Sequence, residues 1–313
     1  MALRIRHLLG LDGVSREDIV QILDVADSFH EVLEREIPVV PTLRGKTVVN
    51  LFYESSTRTR ISFELAEKRL SASPVNFSVS TSSVSKGETL RDTIKNIEAM
   101  KIDMVVVRHG AAGVPYFLTQ CTDAVIVNAG DGLHEHPTQA LLDMMTIRRK
   151  FGRLEGLKVA IVGDIFHSRV ARSNAWGMKT MGMKVVLCGP PTLLPQHPES
   201  LGVPVTDDLD EALGKADVVM LLRLQLERQS SGTFPSIREY RERFGLDLEK
   251  LSKLQDNVLI MHPGPINRGI ELASNVADGP HSVILEQVTN GVAVRMAVLF
   301  LLGGGENEKE VVI

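Results

Sequence analysis

The sequence has few cysteines and no surplus of positive charge. Its 313 residues include only Cys121 and Cys188, which lie far apart beside apolar runs. Core thiols are therefore favoured over a disulfide or a metal pair. None of the nine histidines has a cysteine nearby at zinc-ligand spacing. A net charge of −4 argues against a broad surface for nucleic acid. Local clusters of arginine are therefore expected to bind a small ligand.

Long apolar runs and nucleotide-binding glycine motifs are also missing. The run "VAVRMAVLFLL" near the C-terminus is too short to cross a membrane and contains Arg295. The N-terminus has no apolar signal core and enters a capped helix pattern at Ser15, so a cytoplasmic protein is expected. The turn "VGDIFHSRVA" lacks G-x-G-x-x-G spacing, which disfavours a nicotinamide dehydrogenase, and no Walker-type loop occurs.

Strand-like and helical runs alternate along almost the whole chain. This pattern predicts an α/β fold with two doubly wound parallel-sheet domains and an active site in the interdomain cleft. We place the domains at residues 1–150 and 151–285, and expect the apolar helix at about 286–302 to pack back on the first domain. The tail 303–313 is glycine-rich and then charged, which predicts flexibility.

One junction between a strand and a helix is crowded with hydroxyls and arginines. "YESSTRTRISFELAEKRL" follows the apolar run "KTVVNLFY" and predicts a helix that buries Ile61, Leu65 and Leu70. A single hydroxyl would suffice for capping, and positive charge opposes the helix dipole unless an anion is present. An oxyanion or phosphate cradle is therefore favoured over plain capping.

Further polar clusters follow the other predicted strands. They are "RHG" at 108–110, "GDGLHEHPTQ" at 130–139, "GDIFHSR" at 163–169, "RLQLER" at 223–228 and "HPGPINRG" at 262–269. Because ligands of open parallel sheets bind outside the carboxyl ends of the strands, we expect several of these clusters to converge.

Six motifs, in this order, resemble those of the aspartate carbamoyltransferases, and the resemblance covers nearly the whole chain. They are "STRTR" at 56–60, "SKGETLRDT" at 85–93, "RHG" at 108–110, "HPTQ" at 136–139, "RLQ" at 223–225 and "HPGP" at 262–265. The resemblance implies carbamoyl transfer from carbamoyl phosphate to L-aspartate, an early step in pyrimidine synthesis. That chemistry requires no metal or other cofactor, because it rests on positioning and charge stabilisation.

The resemblance assigns the carbamoyl phosphate site to side chains that hold phosphate and polarise the carbonyl. It implies Ser56, Thr57, Arg58, Thr59, Arg108, His136 and Gln139, with Ser82 and Lys86 from a neighbouring subunit. The catalytic members are Arg58, Thr59, Lys86, Arg108 and His136. Ser83 lies close enough to Ser82 to leave the choice of serine open.

Residue chemistry alone leaves plainer interpretations for some of these positions. Arg108 could form an ion pair with a nearby carboxylate, and His136 could be a structural histidine in a turn. The segment that contains Ser82 and Lys86 could be an ordinary surface loop.

The resemblance assigns aspartate to cations and amides of the second half. Arg169, Arg223 and Gln225 bind it with help from Lys86, while the main chain of Gly264 and Pro265 faces the reacting nitrogens. The plainer interpretation of Arg223 is an interdomain ion pair. The "HPGP" turn also predicts a cis bond at Pro265.

A site shared between subunits implies a homotrimer. The sequence leaves open a regulatory chain or a dihydroorotase partner, and indicates neither nucleic acid nor membrane. The rival substrate is ornithine, whose side-chain amine would favour an acidic pocket and a cysteine-containing turn in place of "HPGP". The alternative that is not an enzyme is a catalytically silent homologue with a structural role in a pyrimidine-pathway assembly.

Overall fold

The computed structural model describes residues 3–78, 87–225 and 236–304. The chain divides into two compact units, Met1–Met145 with Thr289–Ile313, and Thr146–Val288. Ser82, Ser83, Lys86 and the tail from residue 305 lie outside the described residues.

The first unit contains a parallel sheet with strand order β2-β1-β3-β4 in the described part of the chain. β-Branched residues make up three of the six positions in β1 and in β3 and three of the seven in β4, and such strands suit a sheet with helices on both faces. Its elements up to the unit boundary are α1 (Arg16–Leu33), β1 (Thr47–Phe52), α2 (Thr57–Arg69), β2 (Ser73–Ser78), α3 (Leu90–Ala99), β3 (Met104–His109), α4 (Val114–Thr119), β4 (Val125–Asp131) and α5 (Pro137–Phe151).

The register of this sheet brings the polar clusters to one edge. Phe52 at the end of β1 pairs with Arg108 on β3, and His109 pairs with Asp131 at the end of β4. Because all pairs are parallel, the segments that follow β1, β3 and β4 leave the sheet on the same side. The alternating pattern therefore predicted this edge correctly.

The second unit contains a parallel sheet with strand order β7-β6-β5-β8-β9 in its described residues. Its elements, after the end of α5, are β5 (Lys158–Val162), α6 (Arg169–Thr180), β6 (Lys184–Cys188), 3₁₀ turns at Pro191–Leu193 and Pro198–Leu201, β7 (Val205–Thr206), α7 (Leu209–Leu213), β8 (Val218–Leu221), α8 (Ile237–Phe244), α9 (Leu248–Leu251), β9 (Leu259–Met261), α10 (Ser274–Ala277) and α11 (Ile284–Leu302). The chain crosses between the units inside α5 and α11.

Helix α1 follows its sequence pattern closely. The hydroxyl of Ser15 accepts a hydrogen bond from the Asp18 amide at 3.1 Å and caps the helix. The apolar residues that recur every three or four positions along the helix are buried. The predicted capped helix is confirmed.

Helix α2 buries a different face from the one that its apolar residues suggested. Leu70, which follows it, is fully buried, but Ile61 and Leu65 are exposed at 47% and 39%. The buried residues are Thr59, Phe63, Ala66 and Glu67. Ile61 and Leu65 each lie two positions beyond Thr59 and Phe63, which is more than half a turn around the helix. The prediction was wrong because a buried carboxyl and a buried hydroxyl belong to the inner face.

Glu67 is a buried acid held by an amide. The side-chain amide of Asn50 on β1 donates to Glu67 Oε2 at 2.8 Å, and Glu67 is fully buried. Burial raises the pKa of Glu67 to about 7, and the Asn50 hydrogen bond opposes that rise only in part. In the folded state Glu67 is therefore about half protonated near pH 7 and mostly protonated below it.

Replacing Glu67 with glutamine is expected to remove a loss of stability that occurs as pH rises from about 4.5 to about 7. Folded Glu67 binds its proton more tightly than the unfolded chain does, so stability is full below about pH 4.5 and falls as pH rises through about 7. The total loss is roughly 3 kcal/mol for a shift of this size. Urea unfolding from pH 5 to 8.5 should show a falling midpoint for the wild type and a flat one for Glu67→Gln.

Glu64 on the same helix provides the control for this experiment. The hydrogen bond from Lys68 lowers the pKa of Glu64, so its contribution is lost only as pH falls below the ordinary glutamate range. Glu64→Gln should therefore keep the wild-type decline between pH 5 and 8.5. A decline that persists in Glu67→Gln would contradict the assignment.

Helix α11 is longer than the apolar run that the sequence displays. Among the described helices it alone is long and apolar enough, at 19 residues, to cross a membrane by length and composition. A buried core helix passes the same test, and 67% of the apolar window is buried. The expectation that this run falls short of a membrane span was wrong on length, since the helix begins at Ile284.

Both cysteines are buried and free, which confirms the prediction of core thiols. Burial raises the pKa of Cys188 to about 12. This thiol is therefore protonated at neutral pH.

Candidate active site

The junction between β1 and α2 has the features of an anion site. Ser56 occupies the N-cap position of α2 in an extended conformation, yet its hydroxyl makes no capping hydrogen bond, and the first helical turn contains no acidic residue. Thr57, Arg58 and Thr59 form that turn. The Ser56 hydroxyl is thus not used to cap the helix, and the turn at the positive end of the dipole contains Arg58.

A second guanidinium lies near this junction, inside the first unit. Burial lowers the pKa of Arg295 to about 10, with Asp143 acting in the opposite direction and the charge of Arg58 lowering it further. Arg295 lies over the ring of Phe63 at 5.1 Å and donates to the Gly291 carbonyl at 2.8 Å. Burial also lowers the pKa of Arg58. Two neighbouring cations, Arg295 buried and Arg58 at the surface, favour a bound anion.

Arg108 reaches the same junction from the end of β3. Its Nη1 donates to the hydroxyl of Thr59 at 3.4 Å and to the Ala129 carbonyl at 3.2 Å. Its Nε lies 3.3 Å from the carboxylate of Glu54. The ion pair that the sequence offered as an alternative is therefore present, together with the contact to Thr59.

His136 and Gln139 stand at the start of α5. His136 is buried, and its carbonyl accepts the amide of Gln139 at 3.0 Å. The side-chain amide nitrogen of Gln139 donates to Asp143 at 3.0 Å. This bond orients the amide group of Gln139 along α5.

Two buried carboxylates hold the loop before His136. Asp131 accepts the Glu135 amide at 3.0 Å and the Asn128 side chain at 2.9 Å. Glu135 accepts the amide of Leu11 at 2.9 Å. The sequence showed these acids only as part of a polar cluster, because nothing local indicates that Glu135 reaches a segment 124 residues away.

In the second unit, α6 begins much as α2 does. Arg169 is its first residue and is only 5% exposed, and no acidic residue lies in the first turn. Here the N-cap Ser168 does cap the helix, accepting the Ala171 amide at 3.1 Å. An arginine again lies in the first turn, at the positive end of a helix dipole, and here it is buried.

Gln225, beyond the end of β8, is held by the turn that follows β5. Its amide donates to Asp164 at 3.4 Å, and its side chain donates to the His167 carbonyl at 3.1 Å. His167 Nδ1 lies 2.8 Å from the Asp164 carboxylate. Arg223, two residues before Gln225, is half-buried. Asp164 thus positions a predicted site residue, although the sequence gave it no individual role.

The "HPGP" segment forms a turn built on a histidine. Gly264 has φ +62° and is joined to Pro265 by a cis peptide bond, as the two prolines predicted. The Gly264 amide donates to His262 Nδ1 at 2.7 Å.

No group of three or more His, Cys, Asp or Glu that could hold a metal ion occurs within residues 3–78, 87–225 and 236–304. The described site is instead rich in arginines and hydroxyls, which bind anions.

Two family models together match nearly the whole chain. Residues 6–149 match the carbamoyl-P binding domain of aspartate/ornithine carbamoyltransferases, and residues 155–302 match the Asp/Orn binding domain of the same enzymes. The chain belongs to the aspartate/ornithine carbamoyltransferase family.

Curated relatives in this carbamoyltransferase family are similar over nearly their full length. The chain is 57% identical over 306 residues to the aspartate carbamoyltransferase catalytic subunit of Syntrophotalea carbinolica, covering 98% of both chains. It is 60% identical over 303 residues to that of Sorangium cellulosum, covering 97% of this chain and 94% of the relative.

Solved structures of the carbamoyltransferase family match the fold. Aspartate transcarbamoylase from Trypanosoma cruzi in complex with N-(phosphonacetyl)-L-aspartic acid superposes with a TM-score of 0.85 at 31% identity, covering 94% of each chain. The same enzyme in complex with carbamoyl phosphate and aspartate gives a TM-score of 0.84. The resemblance that the six motifs indicated is confirmed.

Proposed function

We propose that this chain transfers the carbamoyl group of carbamoyl phosphate to the amino group of L-aspartate. The products are N-carbamoyl-L-aspartate, a pyrimidine precursor, and phosphate. Identities of 57–60% to aspartate carbamoyltransferase catalytic subunits across 97–98% of this chain carry the proposal.

The leaving phosphate binds at the start of α2. Ser56, Thr57 and Thr59 donate hydroxyl hydrogen bonds, and Arg58 supplies a planar pair of N–H groups. The observation in support is that the Ser56 hydroxyl does not cap the helix and that no acid offsets its positive end. Phosphate takes the place that a capping acid would otherwise occupy.

The carbonyl of carbamoyl phosphate is polarised by groups that meet around Thr59. Attack of the unprotonated aspartate amine on the carbonyl carbon forms a C–N bond and places negative charge on the carbonyl oxygen. Phosphate then departs with the electrons of the C–O bond and accepts the proton that the amine loses. Arg108, Thr59 and His136 stabilise that oxygen. The Arg108–Thr59 contact of 3.4 Å supports this arrangement.

Gln139 recognises the carbamoyl NH₂ group through its side-chain oxygen. The side-chain amide nitrogen of Gln139 donates a hydrogen bond to Asp143 at 3.0 Å. The side-chain oxygen of Gln139 is therefore left to accept a hydrogen bond from the substrate. The pairing distinguishes a carbamoyl group from an acetyl group, which has no N–H to donate.

L-Aspartate binds to residues of the second unit. Arg169 and Arg223 pair with its two carboxylates, Gln225 adds a hydrogen bond, and the main chain of Gly264 and Pro265 faces the reacting nitrogens. The support is chemical: two arginines and one amide suit a dicarboxylate, whereas the side-chain amine of ornithine would need an acidic partner.

We place Ser82 and Lys86 in the active site of a neighbouring subunit, with Lys86 also contacting aspartate, so the working assembly is a homotrimer. Any regulatory chain or dihydroorotase partner would add to that trimer. A cytoplasmic location agrees with the two free buried cysteines.

Product analysis tests the proposed function directly. The purified chain is incubated with carbamoyl phosphate and either L-aspartate or L-ornithine, and carbamoyl-aspartate and citrulline are measured. We expect carbamoyl-aspartate alone, and inhibition by N-(phosphonacetyl)-L-aspartate, which joins a phosphonate to the two carboxylates of aspartate. Citrulline alone would overturn the substrate, and a folded trimer without turnover would favour the silent homologue.

Mixing two inactive variants tests the shared site. Lys86→Ala and His136→Ala damage opposite halves of a site made from two chains, so each mixed trimer keeps one intact site. Full exchange of subunits at equal amounts should recover about a quarter of wild-type activity, because three in four trimers are mixed and one site in three is intact. Each variant exchanged with itself is the control. Native mass spectrometry follows the exchange of subunits. If mixed trimers form but no activity returns, the site is not shared in this way.

A further inference from the structure

His262 has a fixed neutral tautomer inside the second unit. Its side chain is fully buried, and its Nδ1 accepts the Gly264 amide at 2.7 Å. An imidazole nitrogen that accepts a hydrogen bond carries no proton, so the ring proton is on Nε2. Nε2 lies 3.3 Å from Oε1 of Glu271, which is also fully buried.

Glu271 accepts a hydrogen bond from the same turn. The Asn267 amide donates to Oε1 of Glu271, the oxygen that faces His262. One buried carboxylate thus lies against Nε2 of His262 and anchors the segment after Pro265.

Asn267 connects this turn to the segment that contains Gln225. Its side-chain amide donates to the Leu224 carbonyl at 3.2 Å. The main chain at 262–267 and the main chain beside Gln225 are therefore held by one set of hydrogen bonds, and both segments are proposed aspartate contacts.

The start of the turn is fixed from α11 as well. The His262 amide donates to Oε1 of Gln287 at 3.0 Å. With this amide bound outside the turn and the Gly264 amide bound to the ring, the carbonyls between them have a defined direction.

We propose that His262 and Glu271 are positioning residues for aspartate: Glu271 keeps the proton of His262 on Nε2, and Nδ1 then holds the Gly264 amide and aims the carbonyls of the 262–265 turn. This inference rests on the proposed function. Without Glu271 the ring could carry its proton on Nδ1, which would oppose the Gly264 N–H and release the turn.

The test compares a variant that keeps the hydrogen-bond acceptor of the imidazole with one that removes it. His262→Asn retains an acceptor near the position of Nδ1, whereas His262→Ala removes it. We expect His262→Ala to raise the KM for aspartate about tenfold, which corresponds to one buried hydrogen bond, while the Kd for inorganic phosphate, which has no nitrogen for the turn to contact, stays within about twofold. His262→Asn should recover most of the affinity for aspartate.

Glu271 is tested in the same way. Glu271→Gln keeps an oxygen that can accept from both His262 and Asn267, and should remain close to wild type. Glu271→Ala should raise the aspartate KM as His262→Ala does. The double alanine variant should be no worse than about twofold beyond either single one, because the two side chains act in series.

The control is His281→Ala, which removes another half-buried histidine of the second unit that contacts a main-chain carbonyl, that of Val258 at 3.2 Å. It should lower thermal stability without changing the aspartate KM. An unchanged KM in folded His262→Ala, or a His262→Asn variant as impaired as His262→Ala, would overturn the inference. Absence of aspartate turnover by the wild type would instead overturn the proposed function.

Discussion

Alanine at Arg108 is expected to reduce kcat/KM for carbamoyl phosphate by about 10³-fold or more. Arg108 contacts Thr59 and lies beside the start of α2, where both the phosphate and the developing oxyanion are proposed to bind. The substitution therefore removes a donor to the reacting oxygen and a charge that holds the leaving group. Steady-state kinetics and calorimetric titration of inorganic phosphate measure the two effects.

The ion pair with Glu54 makes a second variant necessary. Arg108→Lys keeps a positive charge near Glu54 but loses the planar pair of donors. We expect it to keep thermal stability close to wild type and to recover little of kcat. Arg44, an exposed arginine of the same unit, provides the control, since Arg44→Ala should leave both readouts unchanged. If the folded Arg108→Ala variant keeps the full kcat, the role of Arg108 is limited to its ion pair with Glu54.

Alanine at Arg223 is expected to raise the KM for L-aspartate about 10²- to 10³-fold, the cost of truncating one half of a desolvated charge pair. The affinity for inorganic phosphate should not change, because the side chains of this chain that are proposed to hold phosphate belong to the first unit. Initial rates across aspartate concentrations, with carbamoyl phosphate saturating, measure this difference.

Arg238 is the matched control in the second unit, since its side chain is 87% exposed and pairs with Glu242. Arg238→Ala should retain the wild-type aspartate KM. If Arg223→Ala lowers stability and leaves the aspartate KM unchanged, Arg223 serves in an ion pair and does not bind aspartate. That is the plainer interpretation given for this residue from the sequence.

Local patterns were most reliable where periodicity and chain direction decide the structure. The apolar runs over Thr47–Phe52 and Met104–His109 predicted parallel strands, and the clusters after them lie at one sheet edge. By contrast, the two-residue strand Val205–Thr206 was not predicted. It is too short to have a period, and it forms only because β6 offers it a pairing edge.

The buried face of α2 shows where local pattern misleads. Ile61 and Leu65 are the apolar residues that a reader of the sequence would bury, yet the helix buries Glu67. A carboxyl becomes an acceptable core group only when a neighbour such as Asn50 donates to it. That neighbour comes from β1, so no window along α2 contains the information.

The sequence by itself determined the alternation of strands and helices, the polar clusters at the strand ends and, through six motifs in order, the family. These depend on residue type and spacing along the chain, which folding does not alter. Only the tertiary structure decided which side chains hold the site residues in place. Glu135 reaches Leu11, Arg295 lies over Phe63, and Glu271 anchors the turn of His262. Each depends on through-space distance and burial, because a buried polar group is stabilised only by the partner that the fold brings to it.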